Sequence, residues 1–226
     1  MTETHREHPY ESKRILAPSI LAADPLRLAE EIAALPPEVS RIHVDIMDGM
    51  YVPNMNGSPA LLKALKAESE RLLDVHLMVE KPERLLDLYL EAGADVLTIH
   101  QEATQHPLRW LSYIRKAGVK AGLSLNPGTS LSAAEELLPE TDQLLLMSVS
   151  PGFGGQDFIP RTYARVREAR KMIEEQDHDI LIQVDGGVTA ENAGRLWRCG
   201  VDVIVSGSAV FKAADRRASS LAILNA

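Results

Sequence analysis

With 226 residues and a formal net charge of −8, the chain is long enough for one compact α/β barrel, a fold that typically takes about 250 residues. It is too acidic for nucleic acid or an anionic membrane to be its main partner. Hydrophobic residues at 45% and charged residues at 25% are those of a globular protein, and aromatics at only 4% leave the core to Leu, Val, Ile, Ala and Met.

Residues 1–14 read as a polar N-terminal extension without the apolar centre of a leader peptide, and 15–226 as a single domain. From Ile15 onward, short apolar runs alternate with longer amphipathic stretches. The runs at 15–21, 41–46, 72–78, 95–100, 119–125, 143–148, 180–185 and 202–206 are rich in Val, Ile and Leu, as parallel strands covered on both sides should be. Helical spacing fills the gaps. Residues 25–34 put Leu26, Ala29 and Ala33 on one stripe; 82–92 group Leu85, Leu88 and Tyr89 behind Pro82; 160–176 align Tyr163, Val166, Ala169, Met172 and Ile173. Thr189 suits an N-cap before a helix that ends at Cys199, with Gly200 as its terminator. Cys199 is the one cysteine, so no internal disulfide can form; a packed, inert thiol and a cytoplasmic setting are expected. No run reaches the ~20 apolar residues of a membrane span. Eight strands alternating with helices, and no G-x-G-x-x-G after the first of them, favour a single (β/α)8 TIM barrel over an open doubly wound sheet.

Such barrels carry their chemistry at the carboxyl ends of the strands. Polar side chains gather there in this chain: Ser19, His43, Asp45, His76, His100, Asn126, Ser148, Asp185 and Ser206. His43 and Asp45 are two apart on one strand and therefore share a face. His76 and Asp185 hold equivalent places on two other strands. Any one of them alone reads as a structural residue. Two imidazoles and two carboxylates together make a mixed N/O set for one divalent ion, Zn2+, Fe2+, Mn2+ or Co2+. Asp48, just before Gly49, reads as a structural turn residue.

A second group is glycine-rich. Gly152, Gly154 and Gly155 follow the sixth strand, Gly186 and Gly187 the seventh, and Gly207 and Ser208 the eighth. Glycine lets backbone N–H groups approach an anion, and barrel phosphate sites favour the last two of these loops. A phosphorylated small molecule is the expected ligand. Met47, Met78 and Met147 lie at or near strand ends, where they form a polarizable, water-poor wall.

The ordered series Ala17-Pro18-Ser19-Ile20-Leu21, His43-Val44-Asp45-Ile46-Met47-Asp48-Gly49, Val52-Pro53-Asn54 and Leu73-Asp74-Val75-His76-Leu77-Met78 resembles the ribulose-phosphate 3-epimerase family. The series continues through Leu125-Asn126-Pro127, the stretch 147–156, Val184-Asp185-Gly186-Gly187 and Gly207-Ser208-Ala209-Val210-Phe211, and so covers 15–211. The resemblance implies a ribulose-phosphate-binding barrel that interconverts D-ribulose 5-phosphate and D-xylulose 5-phosphate, within pentose phosphate metabolism. It implies His43, Asp45, His76 and Asp185 as metal ligands, with Asp45 and Asp185 also as the acid/base pair. It places Ser19, His76 and the three methionines near substrate, the glycines of the three loops and Ser208 around the phosphate, and the chain in a homo-oligomer.

Two stretches depart from the family pattern. Met50-Tyr51 follows Gly49 where the family usually has His, and residues 55–59 read Met-Asn-Gly-Ser-Pro. Both lie in the loop beside Asp45, which keeps a second substrate in view, a ketohexose 6-phosphate such as allulose 6-phosphate. A sugar-phosphate decarboxylase on the same scaffold would carry Asp-x-Lys-x-x-Asp. Asp45-Ile46-Met47-Asp48 lacks that lysine. A non-catalytic binding protein would not need both aspartates.

Overall fold

A computed structural model describes residues 13–226, so the polar extension lies outside the described residues up to position 12. The strands are β1 (Ile15–Pro18), β2 (Arg41–Asp48), β3 (Met55–Asn56), β4 (Leu72–Met78), β5 (Val96–His100), β6 (Lys120–Leu125), β7 (Gln143–Met147), β8 (Leu181–Asp185) and β9 (Val203–Ser206). Eight pair in parallel in the order β1-β9-β8-β7-β6-β5-β4-β2, and β3 adds an antiparallel clip to β2. A parallel bridge between Ser19 and His43 joins the first strand to the second and closes the barrel. This is the expected (β/α)8 architecture, with helices between successive strands.

The period-2 alternation of each strand sorts its side chains into two environments. One set faces the helices: Leu16, Ile42, Val44, Leu73, Leu97, Leu123, Leu146, Val184 and Ile204 belong to one continuous apolar core. The other set faces the barrel interior. In the sector of β9 and β1 this interior is apolar, with Ala17, Val203 and Val205 packed together. Elsewhere much of it is polar and buried: Arg41, His43, Asp74, His76, Thr98, Gln143 and Gln183 are all closed to solvent, beside apolar Leu145. A Leu-lined outer shell thus holds a polar axis.

Local chemistry explains where elements begin and stop. β1 ends at Pro18, and the next residues turn into a 3-10 helix, Ile20–Ala22, capped by the Ser19 side chain. The strand expected over 15–21 is therefore shorter. The helix expected at 25–34 narrows to Leu28–Ala33, and that at 82–92 opens with a 3-10 turn, Pro82–Arg84, before Leu86–Glu91. Thr189 caps Ala190–Cys199 through a capping box, and Gly200 ends that helix at φ 100°. Cys199 is buried, and Arg167 Nη1 lies 3.1 Å from its sulfur. Among the described residues, no helix is long and apolar enough to cross a membrane.

Candidate metal centre and active site

Register builds the centre. β2 and β4 pair so that His43 lies beside Asp74 and Asp45 beside His76. β8 brings Asp185 to the same level, and the end of β1 brings Ser19. One ligand atom from each of His43, Asp45, His76 and Asp185 falls within 4.8 Å of the others, the one such group of three or more among the described residues. His43 Nε2 is 3.4 Å from Asp45 Oδ1 and 3.9 Å from Asp185 Oδ2; His76 Nδ1 is 3.3 Å and 3.8 Å from the same two oxygens. These two ring nitrogens are buried and have no hydrogen-bond partner. A buried imidazole lone pair without a partner is costly, and a cation between the four groups would satisfy both. The donor set therefore fits a divalent ion.

The surroundings hold the ligands in place. His43 Nδ1 is 3.0 Å from Asp74 Oδ2, so its N–H donates to that carboxylate and Nε2 is left to face the centre. Asp74 also accepts from Gln143 Nε2 at 3.1 Å and from Gln183 Nε2, and Arg41 Nη1 donates to Gln143 Oε1 at 2.6 Å. Burial opposes the Asp74 charge, but the neighbouring His43 and Arg41 outweigh it and hold the carboxyl down at about 2. Ser19 Oγ donates to the second oxygen of Asp45 at 2.5 Å. His76 turns its other nitrogen, Nε2, to His100 Nε2 at 2.8 Å.

The two aspartates sit in opposed electrostatic settings. Burial works against the Asp45 charge, yet the His43 and His76 imidazoles hold its carboxyl well below the ordinary range. Burial, joined by the Asp45 charge, pushes Asp185 well above that range. Burial likewise keeps His76 below its ordinary value, whereas at His43 the Asp45 and Asp74 carboxylates outweigh burial and raise it well above.

A cavity of about 680 Å³ opens above the centre. Asp45, Asp185 and Ser19 reach it, and Met47, Met78 and Met147 form apolar wall. Gly152, Gly154, Gly155, Gly186, Gly187, Gly207 and Ser208 all line it, so the three glycine loops meet at one mouth. Gly186 and Gly187 both have positive φ; a Cβ on Gly187 would meet Phe158 N at 2.7 Å, and one on Gly186 would meet Val149 at 2.4 Å. Only glycine fits there. His43 and His76 do not reach the cavity wall, being fully buried beneath it. A larger groove of about 930 Å³ lies outside the barrel, between the helices Leu28–Ala33 and Pro59–Glu68, and contains none of the four ligands.

Other strand-end residues prove to be fasteners. Ser148 Oγ is 2.8 Å from the Asp185 carbonyl and 2.6 Å from that of Gly186, and Ser206 Oγ donates to the Val188 carbonyl at 2.8 Å. Asp48 accepts from the backbone N–H of Met50, Tyr51 and Glu80, the turn role expected of it. Sequence reading passed over Asp74, Gln143 and Gln183. Asp74 and Gln183 each lie two residues before an expected strand-end group on the same face, and that spacing is the available signal; Gln143 has no such neighbour, with Leu145 two residues on. It also passed over Asn54, whose Nδ2 donates to the Gly152 carbonyl at 2.8 Å and ties two loops of the mouth together, and Lys212, a cation on the cavity wall.

A barrel whose polar axis surfaces as paired carboxylates beside a glycine-lined mouth defines the class, an enzyme working at the carboxyl ends of its strands. The model of the ribulose-phosphate 3 epimerase family matches residues 15–211. The ribulose-phosphate 3-epimerase of Mycobacterium leprae is 45% identical over 209 residues, covering 92% of this chain and 93% of the relative. That of Escherichia coli K12 is 45% identical over 203 residues, covering 89% and 90%. Among solved structures, 3-hexulose-6-phosphate synthase superposes with a TM-score of 0.71 at 17% identity, covering 93% of this chain and 98% of that one. The 3-keto-L-gulonate-6-phosphate decarboxylase of Vibrio cholerae gives 0.72 at 11%, covering 94% and 96%; both show the shared barrel alone. The chain belongs to the ribulose-phosphate 3-epimerase family and is an isomerase.

Proposed function

We propose that the protein interconverts D-ribulose 5-phosphate and D-xylulose 5-phosphate by proton exchange at carbon 3, with Asp45 and Asp185 as the two proton carriers. The observation that carries the reading is the pair of carboxylates brought to one cavity from β2 and β8. Inversion next to a ketone requires a proton to leave one face and another to arrive at the opposite face. Two carboxylates, one on each side of the carbon, divide that work without turning the intermediate over. A divalent ion held by His43, Asp45, His76 and Asp185 would supply Lewis-acid stabilisation of the charge that develops when the proton leaves; Zn2+, Fe2+, Mn2+ and Co2+ all suit the donor set.

The remaining residues bind and exclude water. Ser19, bonded to Asp45, orients that carboxylate and faces the substrate. Met47, Met78 and Met147 keep bulk water from the reacting carbon. Gly152, Gly154, Gly155, Gly186, Gly187, Gly207 and Ser208 receive the phosphate, with Lys212 nearby. His76 acts from beneath as a ligand. The name of these relatives favours the five-carbon ribulose phosphate over a ketohexose 6-phosphate. We read 15–226 as one folding unit behind a polar extension, working in the cytoplasm as a homo-oligomer.

The test is kcat/KM on D-ribulose 5-phosphate and on allulose 6-phosphate, with deuterium incorporation at carbon 3 followed in heavy water. A preference for the pentulose with deuterium at that carbon is expected. A large preference for the hexulose, or turnover without solvent exchange, would overturn the reading.

A further inference from the structure

His76 differs from His43 in how its free nitrogen is held. His43 meets a carboxylate directly. His76 meets a second imidazole: its Nε2 lies 2.8 Å from His100 Nε2, with the ring centroids 4.9 Å apart and the ring planes inclined by 24°. Two imidazole nitrogens at that distance must be one donor and one acceptor. Which is which is decided at the far side of His100, where Nδ1 makes no formed hydrogen bond and has the Glu102 carboxylate as its charged neighbour, with Oε2 3.4 Å away. A carboxylate facing Nδ1 favours the proton there, which makes His100 Nε2 the acceptor. His76 Nε2 must then carry a proton, and His76 Nδ1 is left as a lone pair aimed at Asp45 and Asp185.

Glu102 is itself anchored. It accepts from the Thr129 hydroxyl and, at 2.9 Å, from the backbone N–H of Asn126. The Tyr51 ring packs on His100 at 4.8 Å between centroids, and its hydroxyl accepts from Asn126 Nδ2 at 2.8 Å. His76 and His100 are fully buried, so no bulk water competes for these positions.

We propose that Glu102 and His100 are positioning residues which, as a carboxylate–imidazole relay, fix His76 in the tautomer that presents Nδ1 to the metal. The relay rests on the reading of His43, Asp45, His76 and Asp185 as a metal centre. It gives both histidine ligands a carboxylate behind them, Asp74 directly and Glu102 through one ring. Such partners set ligand orientation and basicity, and their loss typically costs 10- to 100-fold in metal affinity.

Glu102→Gln is the sharpest variant. Its amide oxygen can keep the bonds from Thr129 and Asn126, which leaves the NH2 group facing His100 Nδ1. That reverses every donor along the chain and puts a proton on His76 Nδ1. Calorimetric titration of the chelator-treated protein with Co2+ should show affinity lower by about 10- to 100-fold, with the thermal midpoint of the metal-free variant close to that of the parent. Tyr51→Phe, which keeps the ring packed on His100 but removes the 3.5 Å hydroxyl bond to Glu102 Oε2, should lower the affinity less than Glu102→Gln does. Long-range 1H–15N spectra of the histidine-labelled parent need no variant; they should report His100 protonated at Nδ1 and His76 at Nε2. Parent-like Co2+ affinity in Glu102→Gln, or the opposite tautomers in the parent, would overturn the relay. Failure of the parent itself to bind Co2+ would instead overturn the metal centre.

Discussion

The outer and inner faces of the barrel strands are one residue apart in sequence and obey different rules. Outward residues such as Leu73, Leu97, Leu123 and Leu146 join one apolar core, where each contributes alkyl area and neighbours partly cover for a loss. Inward residues form a chain of specific partners from Arg41 through Gln143 and Asp74 to His43, then to the cluster with Asp45, His76 and Asp185. Fold strength is distributed on the outside and function is concentrated within. A change on one face should therefore damage one property and spare the other.

The largest effect expected is on the inner face. Asp185→Asn keeps the shape of a side chain that is only partly buried but removes a proton carrier. Turnover should fall by about 10²- to 10⁴-fold, while circular dichroism and the thermal midpoint stay near those of the parent. Near-full activity would remove Asp185 from the reaction. The converse change is Leu97→Ala, at a wholly buried outer position. It should cost about 2–5 kcal/mol in urea unfolding and leave kcat/KM of the folded fraction within a few-fold of the parent. A loss of activity beyond the loss of folded protein would mean that the two faces are not separable. The smallest effect belongs to the methionine wall. Met78→Leu conserves volume and apolarity at a buried position on the cavity, so stability should change by less than about 1.5 kcal/mol, with kcat nearly intact. A collapse of kcat there would show that the thioether does more than exclude water.

The same two faces explain what could be read before the fold was known. The alternation of apolar and amphipathic runs marked all eight barrel strands, because outer-face burial leaves a Leu, Ile or Val at every second position. His43 and Asp45 betrayed a shared face by their spacing, and Asp185-Gly186-Gly187 betrayed a strand running into a loop. Asp74, Gln143 and Gln183 are harder to read in the sequence, because they lie one interior layer below the last residues of their strands. β3 escaped because two residues with no apolar alternation carry no period; its place is set by Asn56 Nδ2 donating to the Asp45 carbonyl at 2.6 Å, a tertiary contact. Glu102, in the 3-10 turn that follows β5, carries no signal of its own in the sequence. Its meaning depends on His100 and His76, which come from two neighbouring strands.

The proposed metal centre draws its four side chains from β2, β4 and β8. Titrating chelator-treated protein with Co2+ while recording visible absorption tests it most directly. One ion per chain should bind, with ligand-field bands that are weakened or lost in His43→Gln and unchanged in Leu97→Ala. Absence of binding, or bands that persist unaltered without the His43 imidazole, would contradict it.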